Sequence, residues 1–290
     1  MQLVYDPEDL PTAEKLKDPR LDWLKDIGGI PINEAEPELE SFLFGYDRGF
    51  EYLRRLVDQS PELHDTPEER QELVSLWNVL TTVKKLSAPV PTPRTWRLEL
   101  DDLHPQDLSY PLFLRTKNTS WKRGGKQSCV EDENELQDEL NELRKVFGWD
   151  CTILAREWLD LKSVGEWRFG SVPREVRVWC VHQQPCIWTF HYQNVCPDAD
   201  CFPLSQEDIE TLRLYATKIA SQFRSPLSAF DFAQTTNDDW NFIEAAPGGC
   251  AGIAHERAFK MLGHCLQNKS CKPWQETYAG TLFDERPEDS

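Results

Sequence analysis

Residues 111–127, PLFLRTKNTSWKRGGKQ, hold Arg115, Lys117, Lys122, Arg123 and Lys126 and not one acidic residue. Their order reads as strand, glycine-containing loop, then helix. Glycines let backbone amides approach an anion closely, and lysines or arginines neutralise it, so the segment suits phosphate binding. The Walker spacing is missing, because no earlier glycine stands at the required distance and Gln127 follows the GGK triplet. A basic surface loop beside an acidic helix is the alternative.

A second candidate lies in AFDFAQTTNDDWNFIEAAPGG. If the turn centres between Asn237 and Asp238, residues whose numbers add to 475 face each other, and Asp231 with Glu244 is such a pair. Opposed side chains have Cβ atoms about 5 Å apart, where two like charges destabilise a sheet unless a cation intervenes. Few, hard oxygen ligands suit Mg²⁺ shared with phosphates. A register shifted by one residue would instead turn one acid to solvent. A third candidate is PREVRVWCV, in which Arg174 and Arg177 offer planar forks for carboxylate or phosphate oxygens. On that strand Glu175, Arg177 and Trp179 share one face, and a salt bridge from an arginine to Glu157 or Glu175 is the bland reading.

The chain that carries these residues has 290 amino acids, 32 basic and 50 acidic, for a net charge of −18. Such a balance repels phosphate backbones and anionic bilayers, so neither nucleic acid nor membrane is expected as a partner. All nine cysteines fall at Cys129 or later without a CxxC pair, which suits reduced thiols in a cytoplasmic protein. The amino terminus has neither a basic leader nor an apolar run, and no stretch approaches the roughly 18 apolar residues of a membrane span. His191 with Cys196 and Cys201 is too irregular for a zinc site, and the His264–Cys265 neighbours lack an orienting third group.

Residues 1–90 read as a mostly helical region. Leu39, Phe42, Tyr46, Phe50, Leu53 and Leu56 recur at helical spacing, and Thr66 with Glu69 forms a capping box for a second helix carrying Leu73, Leu76, Trp77, Leu80 and Val83. The proline-rich Ser87–Pro93 reads as an extended linker. Strand-like runs follow at Trp96–Leu100, Leu112–Thr116, Thr152–Trp158, Val176–Val181 and Cys186–Tyr192. Between them, Ser128 with Glu131 is read as capping a helix that turns Leu136, Leu140, Leu143 and Phe147 inward. Ser205 with Asp208 caps another, bearing Ile209, Leu212, Ala216, Ile219 and Phe223. A hairpin spans Ser228–Ala246. The mixed order indicates an α+β fold without internal repeats.

In order and spacing, LRTK, the glycine loop, ILAREWLDL, REVRVWC, AFDFAQ and WNFIEAAPGG resemble the ATP-grasp superfamily over residues 95–255. They are most similar to its clade named for two arginines and one lysine. The resemblance implies an ATP-grasp fold, two α+β subdomains sandwiching the nucleotide, over residues 91–275, followed by an acidic, disordered tail at 276–290. It implies ATP and Mg²⁺ as cofactors. Lys117 would reach the nucleotide phosphates, with Arg115 sharing that work and the Trp121–Lys126 loop closing over them, Lys126 included. Glu157 and the backbone of Trp158 and Leu159 would receive adenine. Arg174 and Arg177 would face the γ-phosphate or an acyl-phosphate, and Asp231 and Glu244 would hold the metal. Ala246 stands where many members place asparagine, a departure that touches the second metal position. His255 and Arg257 fall on the substrate side. The implied activity is ATP-dependent carboxylate–amine ligation on unknown acid and amine substrates, with a peptide or protein among them. The alternative is an ATP-binding assembly factor or interaction module, as in the eukaryotic ATP-grasp protein that assists assembly of translation initiation factor two.

Overall fold

The computed structural model describes residues 1–46, 50–57, 63, 65–98, 108–118, 122–123, 126–127, 129–167, 170–190, 204–253 and 256–269. In chain order the N-terminal third gives β1 (Gln2–Tyr5), α1 (Leu10–Leu16), α2 (Arg20–Asp26), β2 (Ile30–Pro31), β3 (Ser41–Phe44), α3 (Phe50–Val57), α4 (Pro67–Val74) and α5 (Leu76–Val83). The middle gives β4 (Thr95–Arg97), β5 (Leu112–Thr116), β6 (Lys122–Arg123), β7 (Lys126–Gln127), β8 (Cys129–Val130), α6 (Glu133–Phe147) and β9 (Ile153–Glu157). There follow β10 (Ser163–Trp167), β11 (Gly170–Pro173), β12 (Glu175–Val181), β13 (Gln184–Phe190), α7 (Gln206–Ala220), β14 (Leu227–Gln234), β15 (Trp240–Pro247) and α8 (Glu256–Gln267). The chain divides into two compact units, one of Met1–Val74, Glu175–Phe232 and Glu244–Ser290, the other of Ser75–Arg174 and Ala233–Ile243.

In the first unit, β2, β1 and β3 form a parallel sheet in that order, with Val4 beside Ile30 and Tyr5 beside Phe44. The runs LVY and SFLF are apolar without alternation because both faces are covered. Leu3, Tyr5, Phe42 and Phe44 pack with Leu21 and Leu24 of α2 and Leu262 and Leu266 of α8. Val4 and Leu43 pack on the other side with Leu53, Leu56 and Leu63. The helix expected across Leu39–Leu56 is therefore corrected: its first part is strand β3 and only Phe50–Val57 is helical. Helices still predominate in residues 1–90, but a parallel sheet organises the first part of them.

The same unit holds most of a second sheet, ordered β13-β12-β14-β15. The β12–β13 hairpin closes through His182 and Gln183, whose φ values of 47° and 65° supply the left-handed pair that a two-residue turn requires. α7 and α8 both pack on β12 and β13. The Ser205–Asp208 capping box closes in both directions, at 3.1 and 3.0 Å, and Ile209, Leu212, Ala216, Ile219 and Phe223 are buried as expected. The Thr66–Glu69 box likewise closes, at 2.9 and 3.3 Å.

The second unit is built on an antiparallel sheet, β4-β9-β5-β8, with α6 laid across one face. Leu112 and Leu114 of β5, Ile153 and Ala155 of β9 and Val130 of β8 bury against Leu136, Leu140 and Leu143 of α6. The helix starts later than expected. Asp132 is its N-cap, accepting from the Asn134 and Glu135 amides at 2.8 and 3.0 Å, while Cys129–Val130 joins the sheet. Phe147, expected to face inward, is 39 % exposed, because the helix ends beyond the edge of the apolar patch. Ser87–Pro93 is irregular but docked: Val90 is buried and the Pro91 carbonyl accepts the Phe242 amide at 2.8 Å. Residues 276–290, expected as a tail, lie outside the described residues.

Leu143 is fully buried in this layer, so Leu143→Ala should lower the free energy of unfolding by about 2–5 kcal/mol. Asp132→Ala, which only leaves helix amides uncapped, should cost about 1 kcal/mol. Urea unfolding followed by circular dichroism gives both numbers, and a larger loss for the cap would contradict this account of α6.

Candidate functional site

In the second unit, alternation along β5 and β9 decides which side chains leave the α6 layer. Arg115 stands beside Leu154, Phe113 beside Arg156, and on β4 Thr95 beside Arg156 and Arg97 beside Leu154. Arg97, Arg115 and Arg156 therefore share the sheet face opposite α6. Arg115 and Arg156 are buried. Arg115 Nε donates to the Thr116 carbonyl at 3.2 Å, and Arg156 Nη1 donates to the Ile243 carbonyl at 2.9 Å. Of these three arginines only Arg115 is among the residues expected from sequence. The period-two pattern of ILARE contains the signal for Arg156, which sits one position from the Glu157 singled out.

Lys117 lies just past the end of β5, exposed, with its amide bonded to the Thr152 carbonyl and its carbonyl to the Leu76 amide. The backbone is thus pinned on both sides while the ammonium faces water. Lys126 is in β7, paired with Arg123 of β6, so part of the glycine-containing loop is a short antiparallel ribbon. Glu157 accepts the Arg94 amide at 3.1 Å and donates its own amide to the Arg94 carbonyl at 2.8 Å. Trp158 is partly exposed with its amide on the Pro111 carbonyl, and Leu159 follows it out of the strand. Arg174 Nη1 donates to Gln234 Oε1 at 2.9 Å, and its guanidinium lies 5.8 Å from the Trp240 ring centre.

In the first unit, Arg177 of β12 and Asp231 of β14 form a two-bond ion pair, Nε to Oδ1 and Nη2 to Oδ2, both 2.7 Å. Both residues are buried. Burial works against the guanidinium's charge, but Asp231 first, then Glu244 and Glu175, hold it protonated and above its ordinary value. Its remaining Nη1 donates to the Gly252 carbonyl at 2.9 Å, and the Trp179 ring lies 5.9 Å away on the same strand face. The carboxylate paired with Arg177 is therefore Asp231, and Glu175 on the same strand face adds to the field that holds the guanidinium charged.

The hairpin register at its turn also differs from the arithmetic above. Thr235 donates to the Asp239 carbonyl at 2.9 Å and accepts the Asp238 amide, with Asp238 at φ 69°. These contacts make a three-residue loop in which opposed numbers add to 474, because Asp238 takes the left-handed position usually given to glycine. At the foot of the hairpin the Gly248 amide bonds the Leu227 carbonyl at 2.8 Å, a pair whose numbers add to the expected 475, and Asp231 and Glu244 both act on Arg177.

Do these residues suit magnesium? Asp231 presents two carboxylate oxygens, each bonded to Arg177, Glu244 is half-buried, and Ala246 supplies no side-chain oxygen. Among the described residues no three His, Cys, Asp or Glu side chains gather into a closed cage. Such a sparse donor set fits a Mg²⁺ ion whose other ligands are nucleotide phosphates and water.

Of the lesser candidates, His191, Cys196, Cys201 and His255 lie outside the described residues. His264 is exposed and Cys265 is buried against Cys186, with the sulfurs 3.4 Å apart. Arg257 is exposed on α8. Among the described residues no helix is long and apolar enough to cross a membrane.

No protein-family model and no curated protein matches the chain. Solved structures do. A RimK domain ATP-grasp protein from Sphaerobacter thermophilus aligns with TM-score 0.60 and 11 % identity, covering 92 % of this chain and 98 % of that one. D-alanine–D-alanine ligase from Bacillus anthracis gives TM-score 0.60 at 13 % identity over 92 % and 95 % of the two chains. Carboxyaminoimidazole ribonucleotide synthase from Aspergillus clavatus, complexed with ATP, gives 0.56 at 13 % over 85 % and 69 %. At such identities the likeness concerns architecture, and on it this chain has the ATP-grasp fold.

Proposed function

We propose that this protein is an ATP-dependent carboxylate–amine ligase. The observation that carries the reading is the cluster of Arg177, Asp231 and Glu244 on neighbouring strands of one sheet in a chain with the ATP-grasp fold. Its neighbours in fold include a D-alanine–D-alanine ligase and a synthase complexed with ATP.

In the proposed reaction, a substrate carboxylate oxygen attacks the γ-phosphorus of ATP and ADP leaves. An amine nitrogen then attacks the acyl carbon of the resulting acyl-phosphate, and inorganic phosphate departs as the amide forms. Neither step needs a protein nucleophile, so positioning and charge neutralisation suffice. Lys117, with Arg115 on a sheet face that also carries Arg97 and Arg156, neutralises the phosphates. Lys126 belongs to the ribbon that covers them, and Glu157 with the Trp158 and Leu159 backbone receives the base. Arg174, braced by Gln234, faces the transferring phosphoryl group. Arg177 is oriented by Asp231, so its charge serves from a fixed position. Asp231 and Glu244 would hold Mg²⁺, which when bound neutralises phosphate oxygens.

The second reading, an ATP-binding assembly factor, is favoured by Ala246, which supplies no oxygen at a position where the superfamily often has one. Turnover separates the two. A ligase releases ADP only when both acid and amine are supplied, whereas a binding module retains Mg²⁺-dependent ATP binding without product.

Incubating the protein with ATP and small-molecule and peptide fractions, with mass spectrometry for a new amide, should reveal the product. Glu244→Ala and Lys117→Ala should each then slow ADP release on the order of 10²-fold or more. Unchanged ADP release in Glu244→Ala would remove that carboxylate from the site. Asp231→Asn should cost about 3–5 kcal/mol in urea unfolding, because it strands a buried guanidinium. Replacing both partners, Arg177→Met with Asp231→Leu, should recover most of that stability but no turnover.

A further inference from the structure

Strand β13 breaks its own alternation. Opposite β12, Ile187 stands beside Trp179 and Pro185 beside Cys180, so Cys186 is an extra residue inserted between two consecutive pairs. Such a bulge re-aims a side chain that regular pleating would send to the other face. Its effect is visible in the core, where Cys186 and Ile187, neighbours in the chain, both bury in the cluster that holds Trp179, Leu227 and Leu262 and Leu266 of α8. What the bulged residue meets there is Cys265, in the last turn of α8, with the two sulfurs 3.4 Å apart. Both thiols are buried, Cys186 at 1 % exposure and Cys265 at 8 %.

This contact has a chemistry of its own. A disulfide requires the sulfurs to approach to about 2.05 Å, roughly 1.4 Å nearer than they lie, a change within reach of side-chain rotation. The two residues are 79 positions apart on different elements, so the bond would close a long loop and tie α8 to the sheet. Burial keeps bulky reagents out. A helix end opens more readily than a core strand, however, and Cys265 is the more exposed of the pair, so a small oxidant reaches it first. Other thiols are placed differently. Cys129 is half-buried, yet burial and then Glu131 push its thiol up to about 12, which holds it protonated. Cys250, also half-buried, receives Arg70 Nη1 on its sulfur at 3.3 Å and is the competing target.

We propose that Cys186 and Cys265 are a reversible redox pair, which hydrogen peroxide joins into a disulfide staple between β13 and α8. The Cys265 thiolate attacks a peroxide oxygen, the O–O bond breaks, and the departing hydroxide takes up the thiol proton to leave as water, with a sulfenic acid on Cys265. The Cys186 sulfur then attacks that sulfur; the S–S bond forms, the S–O bond breaks, and a second water departs with the Cys186 proton. Two thiols and one peroxide thus become one disulfide and two waters, and an external dithiol reverses the bond. The staple restrains the segment ahead of α8, whose Ala251 and Gly252 carbonyls are held by Arg20 and Arg177. The pairing stands independently of the ligase reading.

To test this, the reduced full chain is treated with hydrogen peroxide, quenched with catalase and iodoacetamide, and mapped by peptide mass spectrometry. Peptides carrying Cys186 and Cys265 should appear crosslinked, two hydrogens lighter, and should separate again with dithiothreitol. The oxidised protein should melt about 5 °C or more above the reduced one. Amides of α8 should exchange about tenfold more slowly. In Cys186→Ala, dimedone should instead trap a sulfenic acid on Cys265, whereas in Cys265→Ala the Cys186 thiol should stay unoxidised. Circular dichroism establishes that both variants are folded, and the measurements on the unaltered chain do not depend on them. A bond mapped to any other pair, oxygen added to Cys250 while Cys186 and Cys265 stay reduced, equal crosslinking in urea-unfolded protein, or a crosslinked protein that melts no higher would each overturn the proposal.

Discussion

The two 2.7 Å bonds between Arg177 and Asp231 are the constraint on which the arrangement of the first unit's buried charges depends. Taking either charge out of water alone would be prohibitive, and only a geometry that satisfies both makes the pair tolerable. β12 and β14 are neighbours in the sheet, so backbone pairing sets the distance before the side chains meet. The third use of the guanidinium, on the Gly252 carbonyl, transmits that fixed position to the loop after β15. A lysine could neutralise Asp231 but could not reach both oxygens and the carbonyl in one plane.

Arginine recurs in this role. Arg20 is held by Asp18 and holds Ala251, and Arg70 pairs with buried Asp65 at 2.8 Å while bonding the Leu43 carbonyl and reaching Cys250 Sγ at 3.3 Å. Three guanidiniums, each matched with its own carboxylate, thus converge on the glycine-rich segment that follows the hairpin. Gly248 and Gly249 are required there for another reason, because a Cβ would strike Leu227 and the Leu43 carbonyl respectively. In the second unit the arginines have a different setting, three on one sheet face with α6 filling the other. Buried guanidiniums in this acidic chain are thus placed by the fold, and Arg70 and Arg177 each carry a buried carboxylate with them, Asp65 and Asp231.

Much of this architecture is legible from local pattern. β5 falls where Leu112–Thr116 alternates, and the Thr66 and Ser205 capping boxes close as their spacing implies, because each depends on neighbours within a few residues. The parallel sheet is not legible, since SFLF buries both faces and a short apolar run has no period with which to distinguish strand from helix. Nor does the hairpin arithmetic survive at its turn: the register depends on Asp238 adopting a left-handed conformation, and nothing in the surrounding residues demands it. Among site residues, the basic stretch around Lys117 and the acids of the hairpin stand out by composition and spacing. Arg156 does not, because its partner, the Ile243 carbonyl, is 87 positions away and only the fold brings them together.

The Ala246 departure can be weighed on the same physical terms. Asparagine there would add a neutral oxygen next to two acids, one of which is already neutralised by Arg177. Without it, Glu244 and Asp231 still face the fixed guanidinium of Arg177, which offsets one of the two carboxylate charges and leaves the other for a cation. Phosphoryl transfer requires positive charge at the transferring oxygens more than any particular carrier of it. A fixed guanidinium costs no reorganisation when the reaction occurs, and in a buried setting it is worth more than in water. On the proposed ligase reading, the absence of a side-chain oxygen at Ala246 is therefore compatible with catalysis, provided Arg177 stays where Asp231 puts it.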